Sequence, residues 1–109
     1  MRVAAVVADL MLFSRIESAA RISGASLARV DTPAGIPDGV ELVLVDWAAR
    51  DPTWSEALLR LRDAGARVVL FGPHTDLEAH AAARDAGLGP MMARSRLVAR
   101  MTDLFGGPA

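Results

Sequence analysis

Val40-Glu41-Leu42-Val43-Leu44-Val45-Asp46 decides the fold of this chain, because it is a nearly continuous apolar run that ends on a carboxylate. An earlier stretch repeats the pattern, with Val3-Ala4-Ala5-Val6-Val7-Ala8 ending on Asp9. A strand with one wet face alternates apolar and polar residues. These runs do not alternate, so both read as strands of a parallel sheet buried on both faces. In doubly wound sheets the ligand crevice lies outside the carboxyl ends of the strands. Asp9 and Asp46 stand at two such ends and are the first candidate site residues.

Working outward, strands and helices alternate along the chain. Strands are predicted over residues 2–8, 26–30, 41–45, 67–71 and, weakly, 90–93. The first helix covers 10–22, with Leu12, Phe13, Ile16, Ala19 and Ala20 as its inward stripe, and stops at Ser23-Gly24. Thr53-Trp54-Ser55-Glu56 reads as a capping box opening a helix that ends before Gly65 and turns Trp54, Ala57, Leu58 and Leu61 inward. Thr75-Asp76-Leu77-Glu78 reads as a second capping box, for a helix ending at Gly87. A last helix is expected after Ser95 as N-cap, with Leu97, Val98, Met101, Leu104 and Phe105 inward. Between the second and third strands lie two prolines and two glycines in residues 31–39. They do not support a regular helix, so this crossover is expected to be a loop or single turn pinned by Ile36.

A length of 109 residues suits one domain, expected over 1–105 with a fraying tail at 106–109. The net charge of −1 and the lack of a basic arm argue against a nucleic-acid partner. No uncharged apolar stretch is long enough for a membrane span, no signal peptide is apparent, and the expected location is the cytoplasm. The chain has no cysteine, so no disulfide framework exists. All 12 basic residues are arginine.

Five β/α units with acids after the first and third strands resemble the receiver domain of bacterial response regulators. Asp9 falls at the second position of that family's acidic pair, and Asp46 at its phospho-acceptor position. Ala83-Arg84-Asp85-Ala86-Gly87 looks like the ending of its fourth helix. The resemblance implies a flavodoxin-like five-stranded sheet of order 2-1-3-4-5, with a shortened second crossover. It also implies magnesium held by the acids, a phosphoryl group on Asp46, and signalling through the face of the fourth helix, fifth strand and last helix. Several family positions depart from the pattern. Ala8 replaces the first acid, Gly72 the hydroxyl after the fourth strand, Arg94 the lysine, Ser95 the proline after it, and Met91 the aromatic switch.

These departures set the expectations for each residue. Asp46 is a nucleophile or magnesium ligand in one reading, and a solvated or paired strand-end acid in the other. Asp9, Asp46 and the Ala48 carbonyl are the magnesium donors to consider. Arginine prefers bidentate carboxylates where lysine is a point charge, so Arg94 is expected to pair with Asp9 or Asp46, or else to bind an anion. His74, behind Gly72-Pro73, is a candidate contact residue, and Asp9, Asp46, His74, Arg94 and Ser95 make up a candidate rim site. Leu10, Met11 and Trp47 either fold over the rim as an outlying part of the core or extend apolar surface around it; in the second case they form, with Arg84, Arg96 and Arg100, the candidate partner surface. No zinc spacing, dinucleotide fingerprint or nucleophile elbow is present.

The expected function is that of a degenerate, stand-alone receiver-like module. It would be no enzyme and need no cofactor, and it would act through another protein or its own copy across the last two helices and fifth strand. An active receiver using magnesium and Asp46, and a small-anion binding domain at the rim, are the alternatives. The Arg94–Ser95 peptide bond is expected to be trans, since cis without proline costs about 2.5–4 kcal/mol.

Overall fold

The computed structural model describes residues 1–106. Of the expected tail, residues 107–109 lie outside the described residues. Five parallel strands are ordered β2-β1-β3-β4-β5. They are β1 (Arg2–Val6), β2 (Ser26–Arg29), β3 (Leu42–Asp46), β4 (Arg67–Gly72) and β5 (Met92–Ala93). The helices are α1 (Leu10–Ser23), α2 (Trp54–Asp63), α3 (Leu77–Asp85) and α4 (Arg94–Leu104). This is the flavodoxin-like order expected from the resemblance to receiver domains. The second crossover is short and irregular, with a single 3-10 turn at Pro33–Gly35 and Ile36 buried beside it.

The unbroken apolar runs are explained by two cores, one on each face of the sheet. Val3, Ala5, Leu42, Leu44 and Phe71 point to the layer formed by α1 and α4. Ala4, Val6, Val43, Val45 and Leu70 point to the layer containing Leu58, Ala79 and Ala83 of α2 and α3. Strand residues alternate between faces, and both faces are covered, so apolar residues are needed at every position. The carboxyl ends of β1 and β3 are brought side by side, with Val6 opposite Val45.

Helix starts depart from the expectations in three places. Thr53 does stand at the N-cap of α2 but makes no cap bond; its hydroxyl donates to Asp51 Oδ1 at 2.7 Å instead. The N-cap of α3 is Asp76, one residue later than expected, and its Oδ1 accepts the Ala79 amide at 3.0 Å. A charged carboxylate is a stronger acceptor for such an amide than a hydroxyl. Ser95 is not the N-cap of the last helix: α4 begins at Arg94, with Ala93 as a cap lacking any side-chain acceptor. β5 is reduced to two residues, losing the expected positions 90 and 91 at its start. Among the described residues the cis peptide bond is Gly89–Pro90, and Arg94–Ser95 is trans as expected.

Candidate functional site

The rim is built by three segments at the carboxyl ends of β1, β3 and β5. The turn 7–9 follows β1, the 3-10 turn Trp47–Ala49 follows β3, and α4 starts directly from β5. Asp9 is the N-cap of α1, in extended conformation, and its Oδ1 accepts the amides of Met11 at 2.9 Å and Leu12 at 3.1 Å. Its Oδ2 accepts from Arg94 NH2 at 2.6 Å. Both oxygens of Asp9 are thus engaged, one by the helix it caps and one by a guanidinium from across the sheet. The Arg94 bond, then the Leu12 amide, hold its carboxyl below the usual 3.8. The expected pairing of Arg94 with a carboxylate is present, and Asp9 is the partner.

Asp46 is in a different situation. It ends β3, is half-buried, and makes no side-chain cap bond to the turn it opens. Burial pushes its carboxyl above 3.8 because desolvation disfavours the charged form. The Ala48 amide and the Arg94 charge pull it partly back, and the Asp9 charge opposes them. Asp46 lines a small pocket of about 60 Å³ with Ala8, Val30, Asp31 and Trp54.

The five-residue rim set is therefore divided. Arg94, His74 and Ser95 line a separate groove of about 480 Å³ with Arg15, Pro73 and Val98. Asp46 does not line it. Arg94 sits on the first turn of α4 and reaches Asp9 rather than Asp46, although its charge still acts on Asp46.

A second guanidinium at the rim is absent from the sequence reading. Arg29, at the end of β2, donates from Nε to the Val7 carbonyl at 3.0 Å and from NH2 to the Ala8 carbonyl at 3.3 Å. Its guanidinium also lies 5.5 Å from the centre of the Phe13 ring. The signal was available in the strand order, since the last residue of β2 must lie beside the turn that follows β1. Two fixed cations thus bracket the turn 7–9, one on its carbonyls and one on its carboxylate.

Magnesium wants oxygen ligands in near-octahedral array and usually takes one or two carboxylates. With Ala8 in place of an acid and Asp9 engaged at both oxygens, the donors expected from Asp9, Asp46 and the Ala48 carbonyl reduce to the Asp46 carboxylate and one carbonyl. As arranged, they offer an ion one unengaged carboxylate where the pattern of acids calls for more. Among the described residues, no group of three or more His, Asp or Glu side chains could hold a metal.

Gly72 and Met91 fit each other. A Cβ built on Gly72 would stand 3.0 Å from Met91 Sδ and 3.3 Å from its Cε. Met91 is buried and fills the space that a hydroxyl-bearing side chain would need. His74 lies in an exposed turn, where its carbonyl contacts His80 Nε2 at 3.1 Å.

Of the candidate partner surface, Leu10 and Met11 are exposed, at 67% and 82%, and Arg84, Arg96 and Arg100 lie at the surface. Trp47 does not belong to that surface. It is 2% exposed, its Nε1 donates to the Ala79 carbonyl at 3.1 Å, and it packs into the core under α3. The 3-10 turn after β3 folds the indole inward over the sheet, where its apolar area is removed from water and its N–H still finds an acceptor. Leu77, exposed at 76% on the first turn of α3, adds apolar surface that the sequence did not mark.

Among solved structures, the chain is similar to a response regulator from Thermotoga maritima, at 14% identity over 97% of this chain and 98% of that one, with a TM-score of 0.67. It is similar to a response regulator receiver domain protein from Clostridium thermocellum at 12% identity, covering 96% and 94% of the two chains, with a TM-score of 0.64. A protein assigned to pilus assembly, CpaE2 from Sinorhizobium meliloti 1021, is similar at 18% identity over 96% and 99%, with a TM-score of 0.59. No family model and no curated protein matches the chain. The likeness is one of fold: the chain has the architecture of a receiver domain over 96–97% of its length.

Proposed function

We propose that this chain is a receiver-like regulatory module that acts through protein contact, without phosphoryl transfer and without a cofactor. The observation that carries the reading is the double engagement of Asp9, capped onto α1 by one oxygen and paired with Arg94 by the other. A receiver that accepts phosphate uses those acids for a metal, whereas here a guanidinium of the same chain takes that role permanently. Phosphoryl transfer relies on positioned charge around the transferred group. Losing one such donor costs on the order of 10²–10³ in rate, and here the hydroxyl, the lysine and one acid are all changed.

The proposed contact surface is α3, β5 and α4, with exposed Arg84, Arg96 and Arg100, joined at the rim by Leu10, Met11 and Leu77. Its partner would be another protein or a second copy. No helix of the described residues is long and apolar enough to cross a membrane, and the cytoplasm is the setting proposed for such a module.

The test is intact-mass measurement after incubation with acetyl phosphate and magnesium. The expected result is no adduct. A stoichiometric phosphoryl adduct that disappears in Asp46→Asn would overturn the reading in favour of an active receiver. Arg94→Lys is the informative companion: if phosphorylation appears in that variant alone, the arginine is what blocks the site.

A further inference from the structure

We infer that the groove between α1, the turn after β4 and the start of α4 is a binding site for a small organic phosphate, separate from Asp46. Three different elements bring donors to it. Arg15 comes from α1, His74 from the turn after β4, and Arg94 and Ser95 from the first turn of α4. Pro73 and Val98 complete the lining, and no acid lines it. The groove is open, with five of its six lining residues exposed, and its volume of about 480 Å³ exceeds what inorganic phosphate needs.

The donors are arranged for an anion. Arg94 spends NH2 on Asp9, and a guanidinium carries five N–H donors, so others stay open to a ligand. The same ion pair holds the guanidinium in place, which lowers the cost of ordering it on binding. Arg15 makes no ion pair among the described residues. The electrostatics of α4 point the same way. Its N-cap, Ala93, offers no side-chain acceptor, its first turn has no acid, and Arg94 and Arg96 stand there. Cations at a helix N-terminus oppose the helix dipole, and a bound anion would reverse that conflict. Two guanidiniums and a hydroxyl can serve the several oxygens of a phosphate dianion, while Pro73 and Val98 give an apolar wall for the body that carries it.

The site makes no use of Asp46 and stands whether or not that residue accepts phosphate. Isothermal titration with phenyl phosphate, in EDTA, tests it. Saturable binding is expected, tighter than for orthophosphate and weakened about tenfold or more in Arg15→Gln, which removes a charge-assisted hydrogen bond. Asp46→Asn is expected to keep saturable binding at equal or somewhat higher affinity, because it removes a negative charge that acts on Arg94. Arg15 is exposed, so its variant should fold, and a matching circular dichroism melt verifies this. Absence of saturable binding overturns the proposal. So does equal affinity for orthophosphate, which would reduce the groove to counter-ion binding at exposed arginines. Unchanged binding in Arg15→Gln, or loss in Asp46→Asn, would place the ligand elsewhere and also overturn it. The phosphoryl-adduct measurement reads Asp46 chemistry alone, so failure of one reading is distinguishable from failure of the other.

Discussion

Restoring a hydroxyl at position 72 should cost stability through one neighbour, Met91. A Cβ there would approach Met91 Sδ to 3.0 Å, with Ala48 Cβ at 3.7 Å. A thioether on a flexible stem yields by a few tenths of an ångström, and replacing glycine in a strand gains about 0.5–1 kcal/mol. Gly72→Ala should therefore be close to neutral. Gly72→Thr adds two more heavy atoms, and overpacking of that kind costs about 1–3 kcal/mol against a strand-propensity gain of at most about 1. The net expectation is a loss of about 1–2 kcal/mol. Met91→Ala, at a position only 5% exposed, should lose about 2–4 kcal/mol through the cavity it leaves. In the double variant the threonine occupies part of that cavity, so the combined loss should fall short of the sum by about 1–2 kcal/mol. Urea unfolding followed by circular dichroism reads all four proteins, and the coupling corresponds to about 1 M in the midpoint for a typical slope. Additivity within about 0.5 kcal/mol would refute the idea that Met91 and a side chain at 72 compete for one space.

Asp46→Asn should raise stability at neutral pH. The folded carboxyl is held above its unfolded value, so its ionisation penalises the fold above the folded pKa, and the penalty is relieved as pH falls through that pKa toward 3.8. Thermal melts across the acid range should show the advantage of the variant shrinking; a variant less stable at neutral pH would contradict the desolvation argument. Asp9 has the opposite sign: its carboxyl is lowered, so its contribution is present above the unfolded value of 3.8 and is lost as pH falls through the folded value. Asp9→Asn should melt lower at neutral pH, the gap should close in acid, and the loss should overlap with that of Arg94→Gln in a double-mutant cycle. Trp47→Phe should cost about 1–3 kcal/mol in chemical unfolding, from a lost indole hydrogen bond and lost packing, with Trp54 as the remaining fluorescence reporter. An unchanged midpoint would mean that the buried contact to the Ala79 carbonyl carries no net stability.

The two buried faces were legible in the sequence because burial on both sides demands an unbroken apolar run, as in residues 3–8 and 40–45, while the strand order came from the resemblance to receiver domains. The missing helix in the second crossover was legible for an equally local reason, since two prolines and two glycines cannot sustain one. The pairing of Arg94 with a carboxylate was readable too, but not the choice between Asp9 and Asp46. That choice depends on where α4 begins, and the helix starts at Arg94 straight after β5, with Ala93 rather than Ser95 as its cap. Trp47 was left between core and partner surface because position after a strand says nothing about which way a 3-10 turn rolls; the structure rolls it inward onto the Ala79 carbonyl. Arg29 reached the rim unseen because its contacts to Val7 and Ala8 lie 22 and 21 residues away along the chain. Local patterning determines the elements and their buried faces. The partners of long polar side chains are decided only in three dimensions, where a guanidinium can reach across strands to whichever oxygen the assembled fold leaves nearest.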